Sequence, residues 1–244
     1  MSDGVGIPEE KVAEFVRRMS EAAGTNLEAI LLFGSAATSE YQPEASNLNL
    51  FCVVRDSSFG VLKMVGPVVK WWSEQKQPAP MLMTRAELER STDVFTIELL
   101  DMQRHHRVLY GDDVIAKLDI PIKLHRVQVE YELREKLVLL RQTALLAVND
   151  DKRLWEILTR SVSSFVTLFR HSLIAFGEAE PATKRAAIAR LAERCGFDGT
   201  AFATVLDVRE KKADAKKIDV KELFARYLAS VEHVTNAVDQ ALEP

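Results

Sequence analysis

The chain has 244 residues, 47% of them hydrophobic and 28% charged, with a formal net charge of −4 and two cysteines. That length and mixture suit one large or two modest globular domains whose core needs no disulfide or metal staple. The acidic balance argues against a general DNA or RNA binder, which would carry a basic surplus.

The first ten residues have no basic start leading into an apolar stretch. No run approaches the roughly 18 consecutive apolar residues of a membrane span. A cytoplasmic protein without membrane association is therefore expected. Cys52 lies in an apolar run and Cys195 stands just before Gly196. Neither has a neighbour at metal-ligand spacing, so both are expected to be reduced, with Cys52 buried.

In chain order, Pro8, Glu9 and Glu10 suit the first turn of a helix, because proline has no amide proton to lose there and acids complement the helix dipole. Val12, Phe15, Val16 and Met19 then make one apolar face. Residues 27–33 predict a strand stopped by Gly34-Ser35. Residues 48–54 predict a second strand, whose unbroken apolar character fits burial on both faces. Residues 59–72 predict a helix, ended by Pro78 and Pro80, and residues 81–83 a short third strand. Thr84-Arg85-Ala86-Glu87 has capping-box spacing. Residues 95–102 predict a helix and residues 107–110 a last strand ending at Gly111. Strands alternating with helices predict an α/β layer with a mixed sheet.

From Asp119-Ile120-Pro121 onward the apolar residues keep helical spacing. Leu133, Leu137, Leu140, Ala144 and Ala147 predict one long helix. Asn149-Asp150-Asp151 makes the turn. Leu154, Leu158, Val162, Phe165, Phe169 and Leu173 predict the next helix, ended by Gly177. A shorter helix opens near Glu180-Pro181 and closes near Gly196. Leu223, Tyr227, Val231, Val234, Val238 and Leu242 predict the last. Three or four amphipathic helices with short links predict a bundle. The expected division is an α/β domain over residues 1–118 and an all-α helical bundle over residues 119–244.

The chemistry-bearing segment is Leu31-Leu32-Phe33-Gly34-Ser35, then Tyr41-Gln42-Pro43, then Ser46-Asn47-Leu48-Asn49 opening the second strand. Strand geometry sends side chains i and i+2 to one face, so Asn47 and Asn49 aim side by side into the space beyond the Gly-Ser turn. Backbone amides and a hydroxyl at such a turn suit an anion such as a phosphate.

This arrangement resembles the nucleotidyltransferase superfamily, the polymerase-β-like fold, whose pattern is Gly-Ser, a loop, and Asp-x-Asp opening a strand. Aminoglycoside nucleotidyltransferases and minimal nucleotidyltransferases are the most similar members. They pair this domain with a C-terminal helical bundle that receives the substrate. Phe95-Thr96-Ile97-Glu98-Leu99-Leu100-Asp101 and Val108-Leu109-Tyr110-Gly111 resemble an acid-bearing helix and a Leu-x-Gly ending in the aminoglycoside adenylyltransferases. The resemblance implies transfer of a nucleoside monophosphate to a hydroxyl, using ATP or another nucleoside triphosphate with Mg²⁺. It implies that Gly34 and Ser35 hold the phosphates, that positions 47 and 49 ligate metal, and that the ligand, a nucleotide or other small molecule, sits in the interdomain cleft.

The departures bear on that chemistry. Asparagine stands at both metal positions, and residues 80–83, where a third carboxylate would fall, contain no acid. Mg²⁺ is held through carboxylates and phosphate oxygens and gives up water reluctantly. Asparagine keeps one carbonyl oxygen but removes a full negative charge, so an impaired metal site is expected.

Other constellations are weaker. Glu98 and Asp101 share a helix face at i and i+3, as replacement ligands or as an exposed face pairing with Arg104 or His105. Arg104-His105-His106-Arg107 suits a helix C-terminus or a phosphate. Arg226 and His233 match the Arg-x₆-His spacing of a helical ribonuclease family, but five histidines produce about one such match by chance. Trp71, Trp72 and Trp155 read as packing, and Lys211, Lys212, Lys216 and Lys217 as a solvated stretch.

The favoured expectation is a nucleotide-binding or regulatory protein with lost or impaired transfer. The alternative is an active transferase with a metal site rebuilt through Glu98, Asp101 or Asp56. A third is a toxin–antitoxin or ribonuclease-like component using the helical half. The oligomeric state is left open.

Overall fold

The structure is a computed structural model and describes residues 7–38, 41, 43 and 46–241. Gln42 and Leu242 lie outside the described residues. The chain forms two compact units, the first ending at Pro121 and the second beginning at Ile122.

The first unit carries a four-stranded mixed sheet. Its strands are β1 (Leu27–Phe33), β2 (Asn49–Val54), β3 (Met81–Thr84) and β4 (His106–Gly111), in the order β3-β2-β1-β4. β1 pairs antiparallel with β2 and with β4, and β2 pairs parallel with β3. Helices cover both faces, as the unbroken apolar run of β2 requires. α1 (Glu9–Ala23) and α2 (Phe59–Glu74) cover one face. There Phe15, Met19, Val65 and Trp72 pack on Leu50, Cys52 and Val54. α3 (Arg85–Arg90) and α4 (Thr96–Arg104) cover the other, with Leu88, Leu99 and Met102 against Phe51 and Val53.

Local sequence explains several boundaries. Glu9 and Glu10 occupy the first turn of α1, directly after Pro8. Thr84 and Glu87 form the capping box of α3: each side chain accepts from the other's backbone amide, at 3.2 and 2.7 Å. Trp72 is fully buried against Phe15, with ring centroids 4.8 Å apart, and Arg18 lies over Trp71.

The second unit consists of α5 (His125–Leu145), α6 (Asp151–Ala175), α7 (Lys184–Cys195), α8 (Thr200–Arg209) and α9 (Val220–Gln240). α6 is its centre and packs on the other four helices. Phe165 and Phe169 of α6, Phe202 of α8 and Tyr227 of α9 form an aromatic core, with Phe202 stacked on Tyr227 at 4.0 Å. The buried Tyr227 hydroxyl is 3.0 Å from Ser161 Oγ. Burial pushes this phenol's pKa well above its ordinary value, and the Ser161 bond only partly opposes that.

The bundle thus contains five described helices where the spacing predicts three or four; the additional one is α8. It is short, and Thr200, Thr204, Val205 and Val208 give it weak helix propensity. Its signal is Ala201, Phe202, Val205 and Leu206 at i, i+1, i+4 and i+5, all buried. Asp150 is the N-cap of α6, accepting from the Arg153 amide at 3.0 Å.

Gly111 closes β4 with φ +71°, and a Cβ there would lie 1.9 Å from the Glu28 carbonyl oxygen of β1. Gly111→Ala is expected to destabilise the protein by about 2–4 kcal/mol, because left-handed strain adds to a clash with backbone that cannot step aside. Urea denaturation checks this, with Gly66→Ala, where no atom lies within 4 Å of the added Cβ, as the comparison.

Candidate functional site

Alternation along β2 decides where its first residues point. Leu48 and Leu50 are buried toward α1 and α2, while Phe51 and Val53 face α3 and α4. Asn49 is in phase with Phe51, so it points to the α4 face, while Asn47 precedes the strand. Asn47 is exposed and Asn49 half-buried. The entry to β2 is held by the Leu48 amide, which donates to Gln77 Oε1 at 2.8 Å.

β1 places the Gly-Ser turn beside Asn49. Phe33, its last residue, pairs with Asn49 on one side and His106 on the other. Residues Gly34–Ala37 then form one 3-10 turn, closed by the Thr38 amide and hydroxyl donating to the Ser35 carbonyl at 3.2 and 3.0 Å. Gly34 has φ +75°, and a Cβ there would lie 3.0 Å from Asn49 Nδ2. The glycine is therefore required twice, by its backbone and by the asparagine amide lying against it.

His106 lies at this same end of the sheet. Its Nδ1 is 2.6 Å from the Met102 carbonyl near the end of α4, and its Nε2 is 3.0 Å from both oxygens of Asp113. Burial would push the Asp113 carboxyl up, but hydrogen bonds from His106 and the amides of Ala116 and Ile115 outweigh it and hold the pKa below its ordinary value. His106 thus braces the C-terminus of α4, the role its neighbourhood of cations suggested. Arg107 makes a two-pronged pair with Glu9 at 2.6 and 2.8 Å.

Glu98 and Asp101 each directly precede a core residue of α4, Leu99 and Met102, and both are half-buried. They belong to the helix that covers the face to which Asn49 points. Asp56 is elsewhere. It follows the far end of β2, whose five steps from Asn49 to Val54 span about 17 Å at strand rise. There it accepts from the Ser58 hydroxyl and amide at 2.7 and 2.9 Å, bonds that hold its pKa low. A rebuilt metal site using Asp56 with the asparagines is excluded by that separation.

The donor set does not fit Mg²⁺. Two neutral amides stand where charge is needed, and β3 contributes Met81, Leu82, Met83 and Thr84 without a carboxylate. Among the described residues, no three His, Cys, Asp or Glu side chains group as a metal site would need.

The other candidates have structural partners. Arg226 bonds Asp198 Oδ2 at 2.8 Å and also the Thr200 hydroxyl. His233 Nε2 lies 2.5 Å from the Cys195 carbonyl. Arg226 ties α9 to the link before α8, and His233 ties it to the last residue of α7. Burial pushes the Cys52 thiol up to about 12, and burial also raises Cys195, so both favour the neutral thiol. A cavity of about 460 Å³ lies between α5 and α6, lined by Leu140, Ile157, Arg160 and Phe165 among others. None of the candidate site residues Gly34, Ser35, Asn47, Asn49, Glu98 and Asp101 lines it.

No protein-family model and no curated protein sequence matches the chain. Among solved structures, a spectinomycin adenyltransferase from Enterococcus faecialis, determined with ATP and spectinomycin, matches with a TM-score of 0.60. The identity is 17%, over 95% of this chain and 99% of that one. The likeness shows a nucleotidyltransferase-like fold: an α/β region with a mixed sheet, followed by a mostly helical part. No described helix is long and apolar enough to cross a membrane.

Two tests follow from this geometry. Asn47→Asp with Asn49→Asp should lower the melting temperature without metal, because adjacent carboxylates repel. Mg²⁺ or Mn²⁺ at millimolar concentration should restore about 1–3 kcal/mol, or several degrees, by binding only the folded state. Aspartates at Lys216 and Lys217 should show no rescue. If the first pair shows none either, positions 47 and 49 do not converge on a metal-sized space.

Arg226→Ala should cost about 0.5–1 kcal/mol at neutral pH, a value reduced by solvent screening of this half-exposed pair. The Thr200 hydroxyl and then Arg226 hold Asp198 below its ordinary pKa against partial burial. A lowered carboxyl stabilises the fold above its unfolded pKa of about 3.9 and loses that contribution as pH falls through the folded value. The difference between wild type and variant should therefore disappear in acid, as urea melts at stepped pH would record.

Proposed function

We propose that the protein is a nucleotide-binding or regulatory protein on a nucleotidyltransferase fold, with metal-dependent transfer lost or strongly impaired. The observation that carries this reading is the Asn49 amide beside Gly34, where a Cβ on the glycine would lie 3.0 Å from Asn49 Nδ2. Aspartates at positions 47 and 49 would repel a phosphate unless a cation stood between them. An asparagine amide offers two N–H donors and one carbonyl acceptor, so it hydrogen-bonds a phosphate oxygen directly. The Ser35 hydroxyl and the amides of the 34–37 turn add donors at the same place. The change from Asp to Asn therefore exchanges a metal-bridged phosphate site for a metal-free one.

Support comes from the structural neighbour, which was determined with ATP and a small-molecule substrate. A second reading keeps transfer activity, with a cation held through Glu98 and Asp101. The position of α4 over the face to which Asn49 points favours it. The ribonuclease-like reading has less support, since the protein's own chain occupies Arg226 and His233.

Calorimetric titration with ATP and GTP, with and without Mg²⁺, separates these readings. Nucleotide binding should be weak and nearly indifferent to Mg²⁺, and Asn49→Ala should weaken it. A gain of tenfold or more on adding Mg²⁺, about 1.4 kcal/mol, would overturn the metal-free site and favour the α4 acids.

A further inference from the structure

The cavity of about 460 Å³ between α5 and α6 belongs wholly to the second unit, and its volume is that of a small-molecule site. Helix interfaces are normally packed without such a space. Here Thr143 and Ala147 of α5 and Ser161 and Ser164 of α6 line it, side chains too short to fill it. Leu140 and Phe165 are buried at its base, whereas Leu139 stands 56% exposed at its opening. Charge sets this cavity apart from the molecule as a whole. Three cations, Lys136, Arg153 and Arg160, line it against one acid, Glu156, in a chain of formal net charge −4. The short link makes α5 and α6 antiparallel neighbours, so residues equally far from it stand level. Lys136 is nine residues before Leu145, where α5 ends, and Arg160 nine after Asp151, where α6 begins. These two cations therefore share one end of the cavity. Arg153 belongs to the other end, where it donates to the Leu146 carbonyl at 3.3 Å.

We propose that this cavity binds a small amphipathic anion, a molecule with an apolar body and one carboxylate or phosphate end. The anionic end is held between Lys136 and Arg160, and the body lies along Leu139, Leu140 and Ile157. Among the described residues Arg160 makes no hydrogen bond or ion pair, although Glu156 is only one helical turn away. Its guanidinium is therefore free to grip a carboxylate or phosphate with two parallel N–H bonds. Lys136 has Glu132 of its own helix at 3.0 Å, and its three N–H donors leave room for a second acceptor. The Ser164 hydroxyl, one turn beyond Arg160 on the same lining, adds a donor. An apolar floor alone would accept any hydrophobic molecule. Two cations at one end repel each other until an anion stands between them, and they select the ligand by its charge. The site is independent of the nucleotide site proposed for the first unit.

The test is calorimetric titration of the full chain with three probes of equal tail: decanoate, decyl phosphate and decyltrimethylammonium. Saturable one-to-one binding of the anions is expected, at least tenfold tighter than that of the cation, the tighter anion naming the head group. Arg160→Glu should weaken the anions tenfold or more, whereas Arg160→Lys should keep most of the affinity. Leu139→Asp should weaken them as well. Val138→Asp, an exposed change outside the lining, should leave binding as it is. Arg160 and Leu139 are both exposed, so their variants keep the fold, which circular dichroism checks. No saturable binding, equal binding of cation and anions, anion binding indifferent to Arg160→Glu, or binding to phosphatidylglycerol vesicles alone would overturn the proposal.

Discussion

The pairing of β1 with β2 sets Phe33 opposite Asn49, and the position of every residue at the candidate site follows from that register. β2 is buried on both faces, with Leu50 through Val54 at most 1% exposed. Each such side chain contributes about 1.5–3 kcal/mol on burial, and a slip by one residue would turn all of them to the wrong layer. The direction of Asn49 is therefore not a local preference of one polar residue. It is imposed by Phe51 and Val53, which must reach the layer of Leu99 and Met102.

The same register creates the close approach at Gly34. β1 ends beside the start of β2, and the chain leaves through a residue with positive φ against the Asn49 amide. The elements that build the mouth of the site thus belong to the core, and only its polar lining is free to vary without cost to the fold. A nucleotidyltransferase-like fold therefore does not depend on which polar residues line that mouth. His106 reinforces the point: a histidine at the same sheet end, bonded to Met102 and Asp113, secures α4 over the site face.

In the second unit the constraint is the aromatic core around α6. Phe165, Phe169, Phe202 and Tyr227 need partners from three helices, and α8 exists because it supplies one of them. α5 is held to this core through Val129, Leu133, Leu137 and Leu140, while Tyr131 and Val138 on its other side stay exposed.

The order and type of most elements were legible in the sequence because their signals are local. These include Pro8 with two acids at the start of α1, the Thr84–Glu87 capping box, the unbroken apolar run of β2, and the four-residue spacing along α6 and α9. Strand alternation was also enough to turn Asn49 to the face of Phe51, beside a Gly-Ser turn. Three things needed the tertiary structure. α8 has weak propensity and is stabilised by packing against α6 and α9, which no local pattern records. The separation of Asp56 from Asn49 follows from β2 running between them, so residues close in sequence end at opposite ends of the strand. The roles of His106, Arg226 and His233 depend on partners 4 to 38 residues away. The sequence by itself determined which side chains alternate and which repeat; only folding decided what each of them meets, because contact between distant segments is set by packing and not by spacing.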